Sequence, residues 1–172
     1  SKKLMTQKWR RTVSTVEWLA AQMPLEGQFQ IYAFNTKTYP LVEGSEGKWL
    51  KANDPNSMSE ALEKLRKTVP ADGTSIENAF LAMNALNPKP DNVIMVTDGL
   101  PTQAAAAPLI RKTIDGDDRL KLFDRAFAKY PRDVPFNAIL MPMEGDPHAP
   151  AAFWLAARST GGSFMSPSKD WP

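Results

Sequence analysis

The chain has no cysteine in 172 residues, which excludes disulfides, zinc–thiolate sites and a thiol nucleophile, and leaves the redox compartment open. It has one histidine, His148, between Pro147 and Pro150, with no Gly-x-Ser-x-Gly elbow to serve it, so a hydrolase triad is not expected. It has little net charge: +2 overall, with a local basic excess only at Lys2, Lys3, Lys8, Arg10 and Arg11. That balance speaks against nucleic acid as a partner, and the five cations read as the solvated face of a helix. No apolar run approaches the ~20 residues of a membrane span, and the basic start lacks the apolar stretch of a signal peptide. Internal repeats are absent too.

What remains is a chain 42% hydrophobic and 23% charged. At this length a single soluble domain, residues 1–172, can bury roughly 70% of the surface its unfolded chain exposes.

Helical and extended patterns alternate. Trp9, Val13, Val16, Ala20 and Met23 recur at spacings of three and four, predicting an amphipathic helix over residues 4–23 that Pro24 ends. Residues 29–34 read as a strand, with a weaker extended piece over 38–42 that pairs with it or caps the edge. After a Gly- and Asn-rich loop, Ser57 and Glu60 form a capping box, opening a helix striped by Met58, Ala61, Leu62, Leu65 and Val69. A third helix is expected to start at Thr74 and bury Ile76, Phe80 and Met83, with Thr74 and Glu77 as its own capping box. Residues 93–96 are almost wholly apolar, the sign of a strand covered on both faces in a parallel sheet. Residues 104–113 and 120–130 read as helices, 136–141 as a buried strand, and Pro150 to Arg158 as a final helix stopped by Gly161-Gly162 before a short strand at 163–165. Such alternation predicts a doubly wound, mostly parallel sheet flanked by helices on both faces, where ligands bind at the carboxyl ends of strands.

Thr74 and Asp98 stand at such ends. A hydroxyl and a carboxylate delivered to one sheet edge are hard oxygen ligands suited to Mg²⁺ or Mn²⁺; each also has a structural reading, Thr74 as a helix cap and Asp98-Gly99 as a turn. Thr102 either shapes the same loop or is a turn hydroxyl. Glu144 and Asp146 are expected at the rim of that edge or in a solvated turn. Asp115, Asp117 and Asp118 lack the alternating pattern of a calcium loop and read as a helix cap. The tryptophans read as core residues except Trp49, which Lys48 and Lys51 flank in a polar loop and which is expected to be an exposed contact.

Three stretches together resemble the von Willebrand factor type A (integrin I-like) family: Asp72-Gly73-Thr74-Ser75-Ile76-Glu77-Asn78-Ala79-Phe80, Val93-Ile94-Met95-Val96-Thr97-Asp98-Gly99-Leu100-Pro101-Thr102, and Leu155-Ala156-Ala157-Arg158-Ser159-Thr160-Gly161-Gly162-Ser163-Phe164. Phe34-Asn35 is similar as well. The resemblance implies a Rossmann-like sheet with a metal-ion-dependent adhesion site at its top. Thr74 matches the second-loop Thr of that site and Asp98 the third-loop Asp. The family's first strand and its Asp-x-Ser-x-Ser motif have no counterpart here, so two of about six oxygens are present. Burying four side chains of such a strand would contribute on the order of 8 kcal/mol, comparable with the whole stability of a domain, about 5–15 kcal/mol. The expectation is that upstream chain, a cleaved fragment or another subunit supplies it. The resemblance implies a protein-binding module rather than an enzyme, for adhesion or assembly, in which a partner's Asp or Glu completes the coordination of a divalent ion. The alternative is a metal-independent scaffolding domain with a degenerate site. The composition suits a bacterial protein, and the domain a soluble protein or the soluble part of a secreted or membrane-anchored one.

Overall fold

The structure, a computed structural model, describes residues 2–70, 73–106, 114–142, 145–168 and 171. Helix α1 (Lys2–Ala21) ends three residues before Pro24. Proline disfavours helical backbone at the residue before it, and the chain leaves through tight turns, Gln22 N–H to Leu19 O and Met23 N–H to Ala20 O.

The expected strand over 29–34 is divided. Its first part, β1 (Gln28–Phe29), pairs antiparallel with β4 (Leu50–Lys51), while β2 (Tyr32–Phe34) pairs antiparallel with β3 (Thr38–Pro40). Gln30 stands at the break. Its amide donates to Ser45 O, Ser45 Oγ and Lys48 O, and its Oε1 accepts from Ile31 N–H. The polar side chain thus ties the 44–48 loop to the position where the ladder stops.

Helix α2 (Pro55–Lys67) begins earlier than its expected capping box. Asp54 is the N-cap, accepting from Asn56 N–H and from the Ser57 hydroxyl at 2.6 Å, and Pro55 occupies the first turn, where its missing N–H costs nothing. Ala61 and Leu65 are buried, whereas Val69 lies beyond the helix end and is 79% exposed. Helix α3 (Ile76–Asn84) is capped by Ser75, whose hydroxyl accepts from Asn78 N–H, and not by Thr74.

β5 (Val93–Thr97), β6 (Phe136–Leu140) and β7 (Phe164–Met165) form a parallel sheet in that order. Helices α4 (Gly116–Phe127) and α5 (Ala149–Ser159) join α3 in covering one face of it. Asp115 caps α4, accepting from Asp118 N–H, as read from the sequence. Gly162 lets the chain turn into β7 against β6: a Cβ there would lie 1.9 Å from Phe136 O.

The architecture is the α/β one expected, but the described strands hydrogen-bond in three separate sets instead of one continuous sheet. Among the described residues β5 has a ladder partner on one side only, and its second residue, Ile94, is 42% exposed, so this strand is not covered on both faces. Residues 104–106 are irregular, and the rest of the helix expected over 104–113 lies outside the described residues. No described helix is long and apolar enough to cross a membrane.

Candidate functional site

The site grows out of the start of α3, where Thr74, Ser75, Glu77 and Asn78 bond neighbouring segments. Ser75 N–H donates to Asn35 O, just past β2, at 2.7 Å. Thr74 N–H donates to the Thr102 hydroxyl at 2.7 Å, and Thr74 O accepts from Thr102 N–H at 2.8 Å and Gln103 N–H at 3.1 Å. Asn78 donates to Thr36 O and to Ala105 O. Glu77 is buried; one carboxylate oxygen accepts from Ala105 N–H at 2.8 Å and the other pairs with Lys129 of the segment after α4. This turn therefore stitches together the loop after β2 and the loop after β5.

Gly73 belongs to the same arrangement. A Cβ at that position would sit 2.5 Å from Thr102 Oγ1, so the close approach of Thr102 to the Thr74 amide requires glycine. Hydrogen bonding to the Lys129 ammonium, aided by the Ala105 amide, holds the Glu77 carboxyl below its ordinary value in spite of burial.

The loop after β5 runs from Asp98 to Thr102 between firm supports. Thr97 Oγ1 donates to Gly99 O, and Met141 N–H donates to Thr97 O. Leu100 and Pro101 are fully buried. Leu100 N–H donates to Asp146 Oδ2 at 2.7 Å, and Leu100 O accepts from Arg119. Within this frame Asp98 is exposed.

The structure thus brings Thr74 against the loop that Asp98 opens, with Thr102 as the link. Among the described residues neither the Thr74 hydroxyl nor the Asp98 carboxylate has a hydrogen-bond or ion-pair partner. A hydroxyl and a carboxylate are donors of the kind Mg²⁺ or Mn²⁺ takes, and two such groups alone fall short of a full shell. The described residues contain no group of three or more His, Asp or Glu able to hold a metal by themselves.

Other sequence readings shift. Asp146 is neither rim nor solvated turn: its side chain is 1% exposed and paired with Arg119. Glu144 lies outside the described residues. His148 precedes α5 and sits 3.3 Å from exposed Asp117. Trp49 is half-buried and donates its indole N–H to Pro88 O at 2.8 Å, so it is a loop staple and not an exposed contact. Trp154 is 45% exposed beneath the Arg158 guanidinium and is not core. Arg119 and Asn78 carried no signal in the sequence, since their partners, backbone oxygens and for Arg119 also the Asp146 carboxylate, lie 19 to 42 residues away.

The fold is α/β and von Willebrand factor type A-like. No protein-family model matches the chain, and no curated protein matches it. Among solved structures, the chain is similar to a von Willebrand factor type A protein from Catenulispora acidiphila, with 13% identity and a TM-score of 0.59. That match covers 96% of this chain and 34% of the other, so the chain spans about a third of that protein's length. At such identity the likeness shows the fold alone. An uncharacterized membrane spanning protein from Vibrio fischeri aligns over 94% of this chain and 78% of its own at 16% identity, with a TM-score of 0.34. That superposition is too loose to carry an argument.

Proposed function

We propose that this domain is a non-enzymatic protein-binding module in which a divalent ion, Mg²⁺ or Mn²⁺, held near Thr74 and Asp98 is completed by an Asp or Glu of a protein partner. One observation carries this reading. The Thr74 backbone is locked to the Asp98 loop through Thr102, while the Thr74 hydroxyl and the Asp98 carboxylate are left without described partners at the same edge. A free carboxylate on a rigid frame, beside a free hydroxyl, suits a cation that is shared with a second acidic group. The bound ion would supply the positive charge on which a partner carboxylate docks.

The same site calls for a further strand. The Gly73–Ser75 turn is bonded both to Asn35 at the end of β2 and to Thr102 beyond the end of β5, so both strands run toward one turn. Each is laddered on one side only among the described residues. A parallel strand from upstream chain, a cleaved fragment or another subunit would pair with the open edge of β5, shield Ile94 and bring further oxygens to the metal.

The test is a calorimetric titration of Mn²⁺ into the protein together with that strand, beside its Asp98→Ala variant. Binding that the variant loses, and partner capture that a chelator abolishes, is the expected result. A metal-independent scaffolding role has one observation in its favour, the shortage of described acidic ligands. Absence of Mn²⁺ binding, with partner capture unchanged in Asp98→Ala, would establish that role instead.

A further inference from the structure

Arg119, in the first turns of α4, and Asp146, in the segment leading to α5, meet beneath the Asp98 loop, their charged atoms 2.9 Å apart and their side chains 15% and 1% exposed. Burying both charges carries a desolvation cost that mutual attraction repays only when the remaining donors and acceptors are satisfied. They are not. Among the described residues Asp146 Oδ1 and Arg119 Nε are buried without a hydrogen-bond partner, so the attraction within the pair does not fully offset the cost of burying it. Its other bonds are more telling. Asp146 Oδ2 receives Leu100 N–H, and the same Arg119 nitrogen that meets this carboxylate donates to Leu100 O, so both polar groups of one residue are held by one ion pair. Leu100 lies two residues past Asp98, and Thr102, two further on, is pinned to Thr74.

We propose that the Arg119–Asp146 pair is the positioning element of the site, fixing the Leu100 backbone and thereby the direction of the Asp98 carboxylate. The proposal rests on the reading of Asp98 as a cation ligand. Neither residue touches the ion; they act through the Asp98 loop as outer partners of a ligand do, and loss of such partners lowers metal affinity about 10–100-fold.

The experiment replaces the pair with apolar groups, Arg119→Met with Asp146→Leu, and adds Asp146→Asn as a milder variant. Thermal unfolding, amide hydrogen exchange of residues 98–102 without metal, and Mn²⁺ affinity are measured on each beside the wild type. The expected result in both variants is tenfold or faster exchange at Leu100 and at least a tenfold loss of Mn²⁺ affinity, with melting lowered most in the double variant, which leaves both buried polar groups of Leu100 unpaired. A purely structural role predicts lowered melting with unchanged affinity. Unchanged exchange at residues 98–102, or faster exchange with full Mn²⁺ affinity, overturns the proposal. If the wild type itself binds no Mn²⁺, the cation reading falls while accelerated exchange in both variants still upholds the clamp on the loop.

Discussion

The two halves of this domain are built to different standards. Around β5–β7, the aromatic side chains of Phe80, Phe123, Phe127, Tyr130, Phe136 and Phe153 pack edge-on or stacked, with ring centres 4.9–6.5 Å apart. Such pairs add to the burial of large rings. Around α1 and α2 the core is smaller: Val13, Phe29, Ala33, Leu41, Ala61 and Leu65, beside strands of two or three residues. Stranded polar atoms occur in both halves, Trp9 Nε1 and Thr15 Oγ1 here and Arg119 Nε and Asp146 Oδ1 beside the Asp98 loop, buried without a partner among the described residues, each a cost of about 1–3 kcal/mol. The difference teaches where the site gets its rigidity. The loop carrying Asp98 is anchored in the dense half, and the α3 turn carrying Thr74 is the seam that joins the halves.

The largest effect should come from emptying the dense half. Phe136 is completely buried among four aromatic rings, and Phe136→Ala is expected to cost about 3–5 kcal/mol in urea denaturation. In contrast, Leu41→Ala should accelerate amide exchange in β2 and β3 while β6 stays protected. Equal acceleration in β6 would show that the halves open as one unit and break the comparison.

A middle-sized effect belongs to the seam. Glu77→Gln should cost about 2 kcal/mol at pH 7, the scale of a hydrogen bond to a charged group. Because the folded Glu77 carboxyl titrates below its unfolded value, its contribution is complete above the ordinary glutamate range, near pH ~4.3, and fades as pH falls through the lower folded value. The gap between wild type and variant should therefore close in acid, which denaturation at pH 7 and below pH 4 will reveal.

The smallest of the three is Ser75→Ala, which removes the α3 cap and is expected to cost about 1 kcal/mol in the same assay. A much larger loss would mean that α3 relies on its first turn more than on its packed face, and that the seam, not the aromatic core, governs stability.

Much of this was legible along the chain. Apolar spacing identified α1, α2, α3, α4 and α5, because a helix face repeats every three to four residues whatever it packs against. The β-rich runs at 93–96 and 136–141 declare the strands found at Val93–Thr97 and Phe136–Leu140, and Asp98 stands at the end of one. The errors share a cause. The starts of α2 and α3 were placed at the wrong cap because Asp54 competes with Ser57, and Ser75 with Thr74, and only backbone geometry chooses between adjacent cap residues. Val69 and Trp154 look like core by composition and are exposed. Asp146 looks like solvated loop and is buried.

By itself, then, the sequence determined most of the order of helices and strands, the absence of thiol chemistry and the place of Asp98 at a strand end, since each follows from local residue type and periodicity; Thr74, read as a second strand end, instead lies between α2 and α3. Only the tertiary structure decided that Thr102, four residues past Asp98, bonds Thr74, that Asn78 and Glu77 tie neighbouring loops together, and that Arg119 and Asp146 grip Leu100. These contacts join residues 19 to 46 positions apart. At such separations a side chain's partner is set by how helices pack on the sheet, which no local pattern encodes.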